Sequence, residues 1–529
     1  MFRYYQQDQM YLVPPSLKDF IDESHPVHMI NDLVEKLDLT ILERRYGDIG
    51  QPAYEPRLML KVILYGFSVG IFSARKLARA CIENMAFKYL TGMASPVFKT
   101  FIDFRKRHRE DMKAVFVQTV KLARELGLAQ LGGVALDGSK IQANTSKHKA
   151  MSYGRMQEEE KRLKEEIETL LQKADAVDQE EDQELGTEED GYSLKAELSR
   201  RETRLKKIEE ARVALEEREK RDHPKDPIDP KKQISFADTE ARCFAKKGEG
   251  ARYVYNAQAA VDMETQVIVE THIEDSVSDA GAVESTLVNM EKELGETPEK
   301  LTMDSGYANT NTLESCQAHG VTPLCSPFRE QKESSDPQAE TLDAFSYDEK
   351  KDEFHCGHGT IFKLDHWNED KTEAVYSSQE PAACGCGHRH SQSRSHLKVR
   401  KSHLAKREFR RLMSVKENQA LYRQRKCTVE PVFGQVKWGM GFNRFFYRGK
   451  FNVTSEWNVV CAAFNLKKIA ALIKAGRGNL PDMDGFHRAG RAVTDCRLRF
   501  YDWTSHGIHL FRNLILHLKG LGSLYHQPA

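Results

Sequence analysis

The sequence carries no net charge, no long apolar run and no apolar leader. Lys and Arg together number 79, matched by 79 Asp and Glu, which excludes a chain that is basic throughout. No stretch reaches the roughly 18 consecutive apolar residues that a membrane helix needs. The nearest, from Asn458 to Ile473, is interrupted by Lys467 and Lys468. The opening MFRYYQQDQMYLVPP lacks the apolar centre of a secretory leader. The ten cysteines are therefore expected as reduced thiols or metal ligands rather than a disulfide framework. These absences point to a cytoplasmic protein without a membrane span.

What is present is charge segregated along the chain. Residues 391–470 hold eighteen Lys/Arg against four Asp/Glu, and residues 156–192 hold four against fifteen. A basic block gains affinity for nucleic acid by neutralising phosphates and releasing counterions; an acidic stretch is more simply a solvated face. At 529 residues the chain suggests two to four folding units.

Residues 1–130 read as a helical N-terminal domain. Met29, Ile30, Leu33 and Leu37 fall at helical spacing, Pro56 opens the apolar run RLMLKVILYGFSVG, and SARKLARACIENMAFKYLTG is bracketed by Ser73 and Gly92. KTFIDFRKRHRED ends in basic residues that include Arg105 and Arg107. Short helices with Arg/Lys clusters suit a DNA-binding bundle, with Arg105 and Arg107 as candidate contacts, or a helical dimerisation domain.

From Gly132 the pattern changes. GGVALDGSKIQ reads as a buried strand. Residues 156–222 form a charged insert with apolar stripes Leu163, Ile167, Leu170 and Leu198, Leu205, Ile208, Leu215, broken at Gly186 to Gly191: a helical hairpin, closed by Pro224, Pro227 and Pro230. YVYNAQAAVD and TQVIVETHI read as a hairpin, followed by a helix at 281–294, the strand KLTMD, a helix near 311–319 and the strand VTPLC. A polar segment with cysteines then precedes the basic helical block. Without its inserts the middle reads β-β-β-α-β-α-β-α, an α/β RNase H-like mixed sheet. The expected organisation is a catalytic domain at 131–475, interrupted by inserts at 147–247 and 328–414, with a tail at 476–529.

In that order of elements one acid stands on the first strand, one after the fourth, and one on the helix after the fifth. The residues are Asp137, Asp304 and Glu430. Taken singly, each could be a turn former or a helix cap. Together they suit phosphodiester chemistry, because hard divalent ions take carboxylate oxygens and a pair of ions can activate the attacking oxygen and neutralise the leaving one.

The stretches YLVPPSL, YEPRLMLKVILYGFSVGIFSARKLARACIENMAFKYLTG, ALDGSKIQAN, GARYVYNAQAAVD, LTMDSGYAN and YRQRKCTVEPVFGQVKWGMGFNRFFYRG resemble the bacterial insertion-sequence DDE transposases that bear a Tyr-Arg-Glu-Lys signature. The signature falls on Tyr422, Arg425, Glu430 and Lys437. The resemblance implies a DNA-binding N-terminus, a homodimer on double-stranded DNA (element ends and target), and a nucleoid-associated enzyme of the bacterial cytoplasm. It also implies strand cleavage and transfer with two Mg2+, for which Mn2+ is able to substitute. Asp137, Asp304 and Glu430 would be the metal ligands, and Tyr422, Arg425 and Lys437 would hold the DNA end. Branches of the family differ in the spacing from Arg to Glu, and here Glu430 follows Arg425 by five positions. Lys437, seven after Glu430, is expected on the same helical face.

Trp438, Arg444 and Arg448 are further candidate DNA contacts, through stacking and phosphate binding, while Phe445 and Phe446 are expected in the core. Cys356, His358, Cys384 and Cys386 supply enough ligands for a structural tetrahedral zinc, although their one-residue gaps are tighter than the usual knuckle. Two other readings of the same residues are a DNA-binding relative without activity and an RNase H-type structure-selective nuclease.

Overall fold

The computed structural model describes residues 16–47, 52–146, 150–181, 189–224, 226–245, 248, 250–326, 345–348, 351–356, 360–378 and 395–477. The chain divides into two compact units, one of residues 1–111, 118–130 and 462–529, the other of 112–117 and 131–461.

The first unit is helical. Its elements are α1 (Pro26–Glu35), α2 (Thr40–Glu43), α3 (Pro56–Ser68), α4 (Ala74–Glu83), α5 (Met85–Thr91) and α6 (Phe98–Arg107), with the part of α7 (Met112–Glu125) from Gln118 onward. Proline has no N–H to lose at a first helical position. Pro26 and Pro56 accordingly open α1 and α3. Gly92, at φ +57°, ends α5 in the left-handed conformation that glycine adopts most easily. The packing is close: a Cβ on Gly66 would come within 2.3 Å of Leu77 Cδ2. Arg105 does not face solvent as expected of a DNA contact. Its guanidinium donates to the Phe72 carbonyl at 3.1 Å and lies over the Phe67 ring, because α6 turns that face onto α3 and α4. Arg107 is exposed and lies 4.7 Å from the Tyr46 ring.

The second unit is built on a six-stranded mixed sheet. Its long strand β1 (Gly133–Gln142) is followed by a short antiparallel pair, β2 (Ala150–Ser152) and β3 (Gln233–Ser235), which flanks a helical hairpin of α8 (Tyr153–Glu181) and α9 (Glu189–Asp222). The sheet resumes with β4 (Arg242–Phe244), β5 (Arg252–Asp262), β6 (Ile268–Glu274), β7 (Lys300–Met303) and β8 (Thr322–Cys325). Its order is β4-β5-β1-β7-β8, with β6 also paired to β5. β1 runs antiparallel to β5 and parallel to β7. The helices α10 (Ala282–Leu294) and α11 (Thr310–Ala318) connect the last three strands. This is an RNase H-like core, and β5 is buried at ten of its eleven positions, as a strand covered on both faces must be.

Both inserts differ in detail from the sequence reading. The hairpin buries Leu163, Ile208 and Leu215 with Met156, Ala211 and Ile234. Ile167, Leu170, Leu198 and Leu205 are only partly covered. Gly191 lies inside α9 rather than in the break. The polar segment before the basic block contains a five-stranded antiparallel sheet of β9 (Phe345–Asp348), β10 (Glu353–Cys356), β11 (Ile361–Trp367), β12 (Glu373–Ser378) and β13 (Ser395–Arg400). One or two apolar residues from each strand, among them Phe345, Phe354, Phe362, Tyr376 and Val399, build its core, a pattern too sparse to stand out among charges.

After the small sheet come α12 (Lys401–Ser414), α13 (Lys416–Gly434) and α14 (Lys450–Lys474). The apolar run from Asn458 to Ile473 lies within α14. Among the described residues no helix is long and apolar enough to cross a membrane.

Candidate active site

Asp137 stands in the middle of β1, opposite Ala259 of β5. Its Oδ1 accepts the Gly138 N–H at 2.8 Å. Asp304 follows β7, the neighbour of β1, and caps a tight turn at Ser305–Tyr307. Its Oδ1 accepts the Gly306 N–H at 2.8 Å, and its carbonyl accepts the Cys325 thiol at 2.7 Å. Parallel pairing of β1 with β7 thus delivers two carboxylates to one end of the sheet. Burial pushes the Asp137 carboxyl up to about 6, and the negative charges of Asp304 and Asp279 act in the same direction.

The third acid comes from α13. Arg425 and Glu430 are five residues apart, so they point about 140° apart around the helix. Arg425 is buried, and Glu430 keeps 54% of its side-chain surface. The long guanidinium still reaches both acids, with Nη1 3.5 Å from Asp137 Oδ2 and Nη2 3.9 Å from Glu430 Oε1. Arg425 Nη1 is buried without a hydrogen-bond partner. Asp137 and Asp304 therefore lie near one another at one end of the sheet, and the Arg425 guanidinium stands between Asp137 and Glu430. Crowded carboxylate oxygens fit a hard divalent cation, and the Asp137–Asp304 pair meets that description. Among the described residues, however, no three His, Cys, Asp or Glu side chains are close enough to hold an ion as they stand.

Pro431 sits inside α13 directly after Glu430. Lacking an N–H, it leaves the Cys427 carbonyl unpaired within the helix. The side chain of Gln266, in the β5–β6 turn, donates to that carbonyl at 2.8 Å. The helix then loosens into a π turn at Gln435–Gly439, which places Lys437 off the regular α spacing from Glu430 that was expected. Lys437 is half-buried. Burial lowers its pKa, as do the nearby charges of Arg252 and Lys140, while Asp137 acts in the opposite sense. Tyr422 is half-buried, and burial raises its phenol.

The remaining candidates fall in different places. Trp438 is 85% exposed. Arg444 donates to Asn144 Oδ1 at 2.7 Å, and Arg448 to the Asn144 carbonyl at 2.8 Å, so both brace the chain leaving β1. Phe445 is core, but Phe446, in the bend that follows it, is 48% exposed rather than buried. Cys356 is packed in the apolar core of the small sheet. His358, Cys384 and Cys386 lie outside the described residues. Sequence reasoning missed Lys140, Asn256, Gln258, Asp279 and Tyr307, which are hydrogen-bonded to one another, with Lys140 and Tyr307 close to Asp137 and Asp304 in the chain. The available signal was the polar pair Asn256 and Gln258, two positions apart on one face of an otherwise apolar strand.

Two family models match the chain. Residues 15–107 match a transposase domain (DUF772), and residues 223–466 match a transposase DDE domain. Asp137 precedes the second match, and pairing of β1 with β5 and β7 brings it into that domain's sheet. No curated protein matches the sequence. Among solved structures the chain is similar to one in the cryo-EM structure of a piggyBac transposase synaptic complex with hairpin DNA. That likeness has 9% identity and a TM-score of 0.32 over 90% of this chain and 82% of that one, too slight to carry any argument.

Proposed function

We propose that this chain, which carries a transposase DDE domain, is a DNA transposase with Asp137, Asp304 and Glu430 at its catalytic centre. The observation that carries the reading is the meeting of Asp137, from a strand outside the matched segment, with Asp304 and, through Arg425, Glu430. Asp137 and Asp304 would hold a divalent cation, with Glu430 as the third ligand; two Mg2+, or Mn2+ in their place, suit the oxygen donors. Such ions, when bound, supply Lewis acidity at the phosphorus and a lowered pKa for the attacking oxygen.

The chain's own part is positioning and charge. Lys437 is a half-buried cation beside Asp137 and suits a DNA phosphate, as do Arg425 and the half-buried phenol of Tyr422. The exposed Trp438 offers a face for stacking a base, and Arg444, Arg448 and Arg107 offer surface charge for the backbone. In the first step water adds to a phosphodiester at the element end. The P–O3′ bond breaks, and a proton passes to the released 3′-hydroxyl. In the second, that hydroxyl attacks a target phosphodiester; the target's own P–O3′ bond breaks, and its 3′ oxygen leaves and takes up the proton, so one P–O bond replaces another without net oxidation. Two copies on double-stranded DNA would pair the two ends.

One observation favours a second reading. The guanidinium between Asp137 and Glu430 suits a DNA-binding relative without activity. The test is incubation with Mg2+, DNA bearing the element's ends and a target plasmid. Covalently joined products from wild type, absent with Asp304→Ala, support the transposase. DNA binding without nicking by wild type supports the silent relative, and nicking that never yields joined products points to a structure-selective nuclease.

A further inference from the structure

Asp137 and Asp304 stand on adjacent strands, and a chain of hydrogen bonds joins the segments that follow them. Lys140, three residues after Asp137, donates from Nζ to Asp279 Oδ1 at 2.8 Å. The same oxygen accepts Gln258 Nε2 at 2.7 Å and Asn256 Nδ2 at 2.9 Å. Gln258 Oε1 in turn accepts the Tyr307 hydroxyl at 2.7 Å, and Tyr307 lies three residues after Asp304. The loop that carries Asp279 is tied down twice more. Asn256 donates to the Ser276 carbonyl at 3.0 Å, and Asn309 donates to the Ala280 carbonyl at 3.0 Å.

We propose that Asp279, Gln258 and Tyr307 are positioning residues, a clamp that sets the spacing of Asp137 and Asp304 so that both carboxylates receive one divalent cation. This rests on reading that pair as metal ligands. Gln258 and Tyr307 are fully buried and Asn256 nearly so. Burying an amide and a phenol is costly unless their hydrogen bonds are made, and the rest of β5 shows that apolar residues satisfy this sheet. What polar groups add is direction and fixed length. The clamp also fills the space beside Gly138, the residue after Asp137, and leaves no room there for a side chain. A Cβ on Gly138 would lie 2.2 Å from Gln258 Nε2 and 2.4 Å from Asp279 Oδ1. The links to Asp137 and Asp304 run through Lys140 and Tyr307, each three residues after its acid, and Mg2+ tolerates little error in ligand placement.

Tyr307→Phe removes the hydroxyl and little else. Mn2+ affinity of the full chain, read by titration calorimetry, is expected to weaken by about 10-fold, the low end of what losing a group bonded directly to a ligand does, because Tyr307 acts through Gln258. Tyr376→Phe is the control. It removes a hydroxyl that donates to Asp352 Oδ1 at 2.7 Å in the small sheet, and it should bind Mn2+ as wild type does. Unchanged Mn2+ affinity in a folded Tyr307→Phe, with Asp304→Asn losing the ion, overturns the clamp and leaves the metal reading standing. Unchanged affinity in Asp304→Asn overturns the metal reading itself, and the clamp with it. If Tyr307→Phe does not fold, Asp279→Asn is judged by the same two outcomes.

Discussion

Replacing Asp137 by Asn should stabilise this protein while abolishing its activity. The Asp137 side chain keeps 21% of its surface, and its carboxyl is raised from 3.8 to about 6. At roughly 1.4 kcal/mol for each tenfold change in ionisation, holding it ionised in the fold costs about 3 kcal/mol. Asn keeps an oxygen that accepts the Gly138 N–H, and it carries no charge against Asp304 and Asp279. The sign follows from proton binding. Between pH 3.8 and about 6 the folded chain binds the proton that the unfolded chain releases, so wild-type stability falls as pH rises through that window. Above it the advantage of Asn is constant, and below pH 3.8 it vanishes. Relaxation and water entry reduce the figure, so a gain of about 1–3 kcal/mol at neutral pH is expected. That corresponds to a few degrees in melting temperature, at roughly 2–4 °C per kcal/mol for chains of a few hundred residues. Urea unfolding of wild type and Asp137→Asn across pH 4–8 reads it directly. A variant less stable than wild type at neutral pH, or a difference that does not close on acidification, would refute the reasoning.

Two further outcomes follow from the same geometry. Gln266→Ala strips the Cys427 carbonyl of its partner at the Pro431 break and should cost about 1 kcal/mol. It should also slow cleavage through displacement of Glu430, and Gln266→Glu, which cannot donate, should behave alike; equal cleavage rates in all three proteins would remove Gln266 from the account. Trp438→Ala should leave unfolding within about 0.5 kcal/mol of wild type, because the ring is exposed, and should weaken DNA binding by about 1–3 kcal/mol if a base stacks there, as a fluorescence anisotropy titration would show.

The parts of the fold that were legible are those where residue pattern alone decides the local structure. GGVALDGSKIQ and KLTMD are apolar runs that end at or carry an acid, and they became β1 and β7. The β-rich composition of YVYNAQAAVD sufficed for β5. The acids at Asp137 and Asp304 stood out because each interrupts such a run. What stayed hidden depends on partners distant in sequence. The apolar residues of the small sheet are spread one by one over some fifty positions, and only pairing across five strands assembles them. Arg105 lies in a run of basic residues that reads as surface, yet the crossing of α6 turns it inward. The π turn that re-aims Lys437 comes after Pro431 in a helix that the β5–β6 turn also contacts, and no local pattern in the sequence marks it. Asp279 is an acid in a Ser-rich loop with no periodicity, and only the folded chain shows that three side chains donate to one of its oxygens.

The most direct test compares single-turnover cleavage of end-bearing DNA in Mg2+ by wild type, Asp137→Asn, Asp304→Asn and Glu430→Gln, with DNA affinity measured beside it. All four proteins should bind the DNA, and only wild type should cut. Cutting at the wild-type rate by any one of the three variants would contradict a centre made of these carboxylates.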